Sequence, residues 1–372
     1  MAKELRPFDY TYLAIVSAIA LFGMMMLASA SAPVGYARFS DSYYFVVHQL
    51  VFGFLPGLAG MIGFSLIPYT FWKKNAWNLL LISIGLLVIV FIPGISARIG
   101  TAHSWISIAG LFSLQPSEIV KLTFLFYLSA WLEKRGEMGV RDVQGGFLPF
   151  IGTLGIILML LFLQPDVGTM TIIAAMSLVV YFVAGAPLVY VGGLIAAGAS
   201  TLAILIGIAP YRAARFTTFL NPELDPQGIG YHINQALLAI GSGGIFGLGY
   251  GHSRQKFQYL PEVEGDSIYA VIGEEMGMVV AVLVLVMFLV FLWRTLKIAD
   301  ESPDKFGKYV ATGIGVWLVL QAFVNIGSMV AIMPMTGITL PLISYGGSSM
   351  AIVMCAIGVV LNISRYGKGK SD

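Results

Sequence analysis

Charge is scarce in this sequence: Asp, Glu, Lys and Arg make up only 11% of 372 residues, against roughly 25% in an ordinary soluble domain. Cysteine occurs once, as Cys355 in an apolar run, which excludes an internal disulfide and fits a small buried hydrophobe. The 4 histidines show no zinc-type ligand spacing. With a net charge of +2 there is no basic patch or stripe of the kind nucleic acid calls for, so nucleic acid is excluded as a partner. Internal repeats and low-complexity tracts are also missing. What is present is apolar: 58% of the residues are hydrophobic and the mean hydropathy is +0.86. A water-soluble globule has nowhere to hide so much apolar surface, and the bilayer is its natural solvent.

Lys3 and Arg6 precede the apolar stretch Tyr12–Ala32, and Ala28-Ser29-Ala30 resembles a cleavage site. The stretch exceeds the ~7–15 residues of a signal-peptide core and Pro33 follows it directly, so a retained first helix is expected. A spanning helix needs about 20 mostly apolar residues. Segments of that kind lie at 10–32, 45–67, 77–95, 117–132, 147–163, 168–185, 187–209, 266–293, 309–333 and 341–363. The fold class expected is therefore an all-α polytopic membrane protein of about ten transmembrane helices, one domain over 1–372. Basic residues fix its orientation. With the N-terminus inside, the inner segments hold Lys3, Arg6, Lys73, Lys74, Lys134, Arg135, Arg141, Arg294, Lys297, Lys305, Lys308, Arg365, Lys368 and Lys370. The outer segments hold only Arg38, Arg98, Arg212, Arg215, Arg254 and Lys256, so both termini are expected to be cytoplasmic.

Most connections are short. The exception is the outer segment 210–265, between the seventh and eighth helices, which is too long for a mere connector. Asn221-Pro222 and Asp225-Pro226 mark turns, and Ile229, Ile233, Leu237 and Ile240 then recur at helical spacing. One face of this stretch is apolar and suits the membrane interface.

Ionisable and helix-breaking residues at membrane depth are costly and mark candidate sites. In Gln115-Pro116-Ser117-Glu118-Ile119-Val120-Lys121, the carboxylate of Glu118 and the ammonium of Lys121 are three residues apart and share a helix face. A structural ion pair and a Lys121 that neutralises a phosphate both fit this pattern. In Gln164-Pro165-Asp166-Val167-Gly168-Thr169, Asp166 is placed either to cap the next helix or to contact a cation or substrate. Asp266 stands at the outer mouth of the eighth helix, after Leu260-Pro261-Glu262-Val263-Glu264-Gly265. It serves as a cap, or as a base whose pKa the flanking acidic and apolar residues raise. Ala270, Gly273 and Gly277 share its face, and Glu274 lies about two turns (~12 Å) deeper. Finally, the stretch from Met333 to Ser349 has two prolines and three glycines, and includes Ser344 and Tyr345. Irregular backbone at that depth is tolerated where it is buried in protein or lines a wet cavity, and a cavity wall is expected here.

In this order and spacing the strings QPSEIVK, PDVGT, FLNPELDPQGIGYHINQ, LPEVEGD…AVIGEEMG and TGITLPLISYGGSS resemble the SEDS (shape, elongation, division and sporulation) family, from the first helix to Arg365. Gln255-Lys256 followed by Tyr259-Leu260-Pro261-Glu262 is closer to the division branch than to the elongation branch. The resemblance implies a peptidoglycan glycosyltransferase that polymerises lipid II beside a class B penicillin-binding protein. It also implies that Asp266 is the catalytic aspartate and that Glu118 and Lys121 are the paired charges. Two positions depart from the family: Gly265-Asp266-Ser267 stands where Thr-Asp-Phe is common, and His103-Ser104 where a basic pair precedes Trp105.

The mechanism expected from the outward placement of Asp266 uses a lipid-linked donor, a growing strand on undecaprenyl pyrophosphate. Asp266 takes the proton of the GlcNAc 4-hydroxyl of lipid II as it attacks the donor anomeric carbon with inversion. Glycosidases need a second carboxylic acid for a poor leaving group, whereas pyrophosphate needs only positive charge. Lys121, Arg212, Arg215 or a divalent cation (magnesium or manganese) are candidates for that charge, and no other cofactor is called for. Asp166, Ser344 and Tyr345 complete the candidate substrate contacts. Two other functions use the same features, a lipid II flippase and a scaffold for the crosslinking partner.

Overall fold

The computed structural model describes residues 6–92, 96–99, 102–108, 112–208, 217–219, 221, 225 and 228–367. Its helices, in chain order, are α1 (Tyr10–Phe39), α2 (Tyr44–Leu66, with a π turn at Leu50–Phe54), α3 (Tyr69–Lys74), α4 (Ala76–Ile89) and α5 (Pro116–Arg141). They continue as α6 (Val143–Leu163), α7 (Val167–Val183), α8 (Leu188–Ile208), α9 (Ile229–Gly243), α10 (Ile268–Glu301), α11 (Lys305–Met329) and α12 (Gly347–Ser364). Every expected span contains a helix. Six of them (α1, α2, α6, α10, α11, α12) are long and apolar enough to cross a membrane. Helix α5 misses that group because Glu118, Lys121 and Glu133 fall within its first eighteen residues. Helix α4 stops at Ile89, short of the expected 95, ahead of Pro93-Gly94.

The all-α expectation needs one correction. Strands β1 (Ser96–Ile99), β2 (Ala102–Ile108) and β3 (Phe112–Leu114) form a small antiparallel sheet, with Ala97 opposite Trp105 and Ser107 opposite Ser113. Trp105, Ile106 and Ile108 are β-branched or aromatic residues that suit a strand, in a stretch read as connector. The sheet leads directly into Pro116, the first residue of α5, where a missing N–H costs nothing.

Exposed side chains on α10 fall on one stripe, Met278, Val282, Leu283, Val286 and Leu289, while Ala281, Val284, Phe288 and Phe291 turn inward. Without water to drive apolar faces together, membrane helices associate through close packing of small residues. Helices α2 and α12 do so: a Cβ on Gly57 would lie 2.8 Å from Met354 Sδ, and one on Gly60 2.4 Å from Cys355 Sγ. Cys355 is thus a packing residue.

Polar contacts gather at two opposite ends of the bundle. At one end Arg6 N–H donates to Arg365 O (3.0 Å), joining the two ends of the described chain. Arg294 pairs with Asp9 (2.6 Å), Lys73 with Glu133 (2.6 Å), Lys305 with Glu137 (3.2 Å) and Lys308 with Asp300 (2.9 Å) at the same end. The four segments singled out as candidate sites gather at the other.

Helix α10 is broken at Gly277 (φ 77°, ψ 177°). The backbone groups that the break frees are taken by the chain after α9. Met278 N–H donates to Gly244 O (2.9 Å), Val279 N–H to Ile245 O (3.3 Å), and Leu248 N–H to Glu274 O (2.9 Å). This approach requires glycine: a Cβ on Gly277 would sit 2.3 Å from Gly247 N. Non-helical backbone at membrane depth survives here because protein satisfies it.

Candidate active site

Four segments far apart in sequence are joined by hydrogen bonds at one end of the bundle. Asp166 caps α7, its Oδ1 accepting from Thr169 N–H (3.0 Å). Its Oδ2 accepts from Ser117 Oγ (3.0 Å) and Gln115 Nε2 (3.3 Å), so the same carboxylate fixes the start of α5.

One turn into α5, Lys121 and Glu118 are both buried, 1% and 5% exposed, and pair at 2.8 Å. The Lys121 ammonium also donates to Gln321 Oε1 (2.9 Å) and lies 4.8 Å from the Trp317 ring centroid. Gln321 Nε2 then donates to Thr339 O (3.0 Å), tying the pair to the irregular segment before α12. The ammonium is therefore enclosed by a carboxylate, an amide oxygen and an aromatic face. Glu118 Oε2 is buried with no hydrogen-bond partner among the described residues.

Asn325 is four residues beyond Gln321, on the same face of α11 and about 6 Å along its axis. Its Nδ2 donates to Asp266 O (2.8 Å) and to Ile338 O (2.8 Å). Two carbonyl acceptors fix the amide's orientation, leaving Asn325 Oδ1 buried and unpartnered among the described residues. Gln321 and Asn325 thus form a polar ladder from the Glu118–Lys121 pair to Asp266. The sequence reading missed both, although an amide in an apolar span is itself a signal.

Asp266 occupies a tight turn. Gly265 and Ser267 N–H both donate to Glu262 O (3.0 and 3.2 Å), and Glu262 has the unusual φ of 49°. Asp266 is half-buried, and its Oδ1 is fully buried with no partner among the described residues. Burial, followed by the neighbouring charge of Glu262, raises its pKa from 3.8 to about 7. Glu264 is also raised, chiefly by burial; Arg38 from α1 approaches it at 3.7 Å and opposes the shift.

Ser344 and Tyr345 hold the loop rather than face open space. Ser344 Oγ accepts from Leu340 N–H (2.8 Å) and closes its own turn. Tyr345 N–H donates to Glu264 O (2.8 Å), and its hydroxyl bonds His48 Nδ1 (2.8 Å). Arg212 and Arg215 lie outside the described residues. Below the turn, Glu275 binds Lys256 Nζ (2.8 Å) and Ser29 Oγ (2.7 Å), while Glu274 accepts from Arg254 N–H (2.8 Å). Both glutamates are occupied in fastening residues 251–256 to α10 and α1. Among the described residues no three His, Cys, Asp or Glu side chains are grouped to hold a metal ion.

A family model described as cell cycle protein, FtsW/RodA/SpoVE, matches residues 9–369. The chain belongs to this family. It is 40% identical over 368 residues to stage V sporulation protein E of Bacillus subtilis, covering 98% of this chain and 99% of that protein. It is 39% identical over 361 residues to the probable peptidoglycan glycosyltransferase FtsW of Trichlorobacter lovleyi, covering 97% and 94%. Among solved structures it resembles Thermus thermophilus rod shape determining protein RodA (TM-score 0.70, 27% identity, covering 97% and 98%). It also resembles a chain from a study of how a peptidoglycan synthase complex coordinates polymerization and crosslinking (TM-score 0.79, 26% identity, covering 96% and 98%). The family resemblance read from the motifs is thereby borne out.

Proposed function

We propose that the chain is a peptidoglycan glycosyltransferase that polymerises lipid II at the outer face of the bacterial cytoplasmic membrane. The observation that carries this reading is Asp266: a carboxyl with one bare oxygen and a pKa of about 7, held at the end of a polar ladder. A base poised near neutrality is matched to accepting a hydroxyl proton. Asp266 removes the proton of the GlcNAc 4-hydroxyl while that oxygen attacks the anomeric carbon of the donor. The bond to undecaprenyl pyrophosphate breaks, and inversion results.

The enclosure of Lys121 favours a positioning role for it, holding α5 against α11. Charge for the departing pyrophosphate then falls to Arg212 and Arg215, or to a divalent cation. Such a cation is commonly held by one or two carboxylates and completes its shell with substrate phosphates, so a protein cage of three ligands is not required.

The chain forms one membrane domain that crosses ten times, with both termini in the cytoplasm. The meeting of Arg6 with Arg365 supports an even number of crossings, and the excess of Lys and Arg at that end supports its being inside. The FtsW and SpoVE relatives support the division and sporulation side of the family. Likeness to a chain of a peptidoglycan synthase complex supports a class B penicillin-binding protein as partner. A flippase would use the broken helix as a path, but the break at Gly277 is filled by residues 244–249. Purified protein in liposomes loaded with fluorescent lipid II is the test. Glycan polymer is expected; movement of lipid II between leaflets without polymer would replace this reading with transport.

A further inference from the structure

His232 has no part in the ladder, yet it reaches the same turn. It projects from α9, with Nε2 2.6 Å from Ser267 Oγ, and that oxygen is 2.7 Å from Pro261 O. A carbonyl oxygen only accepts, so the single serine proton goes to Pro261. The histidine nitrogen must therefore supply the proton of the other bond, which assigns the Nε2–H tautomer. Burial lowers the pKa of His232 to about 4, and the ring is a neutral donor throughout the range in which the protein works. Ser267 directly follows Asp266 in the turn, and its backbone N–H donates to Glu262 O (3.2 Å). The backbone of Asp266 is held from the opposite side by Asn325.

We propose that His232 is a positioning residue for Asp266, acting through Ser267. Its N–H occupies one side of the serine oxygen, and the hydroxyl proton points toward Pro261 O. The turn that carries Asp266 is thereby clamped between α9 and α11. The other charged or titratable groups around the turn are Glu262 and Glu264 on it, Arg38 from α1 beside Glu264, and Tyr345 bonded to Glu264 O. None of these donates to Ser267. This inference rests on the reading of Asp266 as the base.

The test measures polymerisation of fluorescent lipid II against pH, using the full chain in liposomes. His232→Leu removes the donor and is expected to lower kcat about tenfold, the scale of one lost hydrogen bond. It should move KM less than about twofold, on the same scale, because no contact to substrate is removed. The acid limb of the rate profile should stay where it is, since the serine proton goes to Pro261 O and not to the carboxylate. His232→Gln, which keeps an N–H near the same place, should restore kcat. Ser267→Ala breaks the link while leaving His232 in place, and should lower kcat to a similar extent with KM little changed. If the Leu and Gln variants behave alike, or if Ser267→Ala leaves kcat unmoved, the positioning role is wrong. Asp266→Asn in the same assay separates the two layers. Wild-type activity there would remove the base and this inference with it, whereas an inactive Asn variant beside indistinguishable His232 variants would remove this inference alone.

Discussion

At the scale of single residues, the chemistry of the site depends on the cost of burying Asp266. Its folded pKa, about 7, lies above its ordinary value of 3.8. Below about 4 both folded and unfolded states are protonated and nothing is lost. Between about 4 and about 7 the unfolded chain releases its proton first, and stability falls as pH rises; above about 7 the full cost is present. Asp266→Asn should therefore melt higher than wild type at pH 8, and the difference should shrink toward pH 5. A difference that is constant with pH in thermal melts would mean that the carboxyl is not held as described. The aspartate was legible in the sequence because it precedes a long apolar helix and follows Leu-Pro-Glu. Its supports, Asn325 and His232, were not. An amide and an imidazole four and three residues from other polar groups say nothing of which carbonyl or hydroxyl they meet across the bundle.

At the scale of elements, two devices fix the geometry. The first is the Glu118–Lys121 pair between α5 and α11. Removing one member of a buried pair strands the other charge, at a cost of about 3–5 kcal/mol, whereas replacing both with apolar residues is often neutral. Lys121→Met should accordingly lower the melting temperature sharply, and Glu118→Leu with Lys121→Met should recover most of it. If the double variant folds and still polymerises, Lys121 is not the phosphate ligand; if it folds and binds donor poorly, the phosphate role is restored. The second device is the break in α10. Gly277→Val places a Cβ about 2.3 Å from Gly247 N in a left-handed conformation. Strain alone costs roughly 1–3 kcal/mol, so loss of yield and a lowered melting temperature are expected. A Val variant as stable as wild type would contradict the pairing of 244–249 with 274–279. The sequence showed the helical apolar face of α9 but not this break, since one glycine among many carries no mark of a left-handed φ. The small sheet at 96–114 was missed for a related reason: its strands are short, lack a clean alternation and sit between two strong helical signals.

For the whole molecule, hydropathy made the membrane class legible before any coordinates, and the placement of Lys and Arg set the sidedness expected of it. The structure adds that the chain's two described ends meet at one polar end, while the four motif segments meet at the other. A cysteine scan tests this directly. In a Cys355→Ala background, Arg254→Cys should react with a membrane-impermeant maleimide on intact protoplasts, and Lys308→Cys only after lysis. The reverse pattern would place the site inside, where nucleotide-linked donors are found, and would undo the lipid-linked mechanism.

The most direct test of the central claim, that Asp266 is the base, is the pH dependence of lipid II polymerisation by wild type and Asp266→Asn. The account predicts a wild-type rate that rises with pH through about 7, as the carboxyl loses its proton, and no polymer from the Asn variant. Polymer from the Asn variant at the wild-type rate, with the same pH profile, would contradict it.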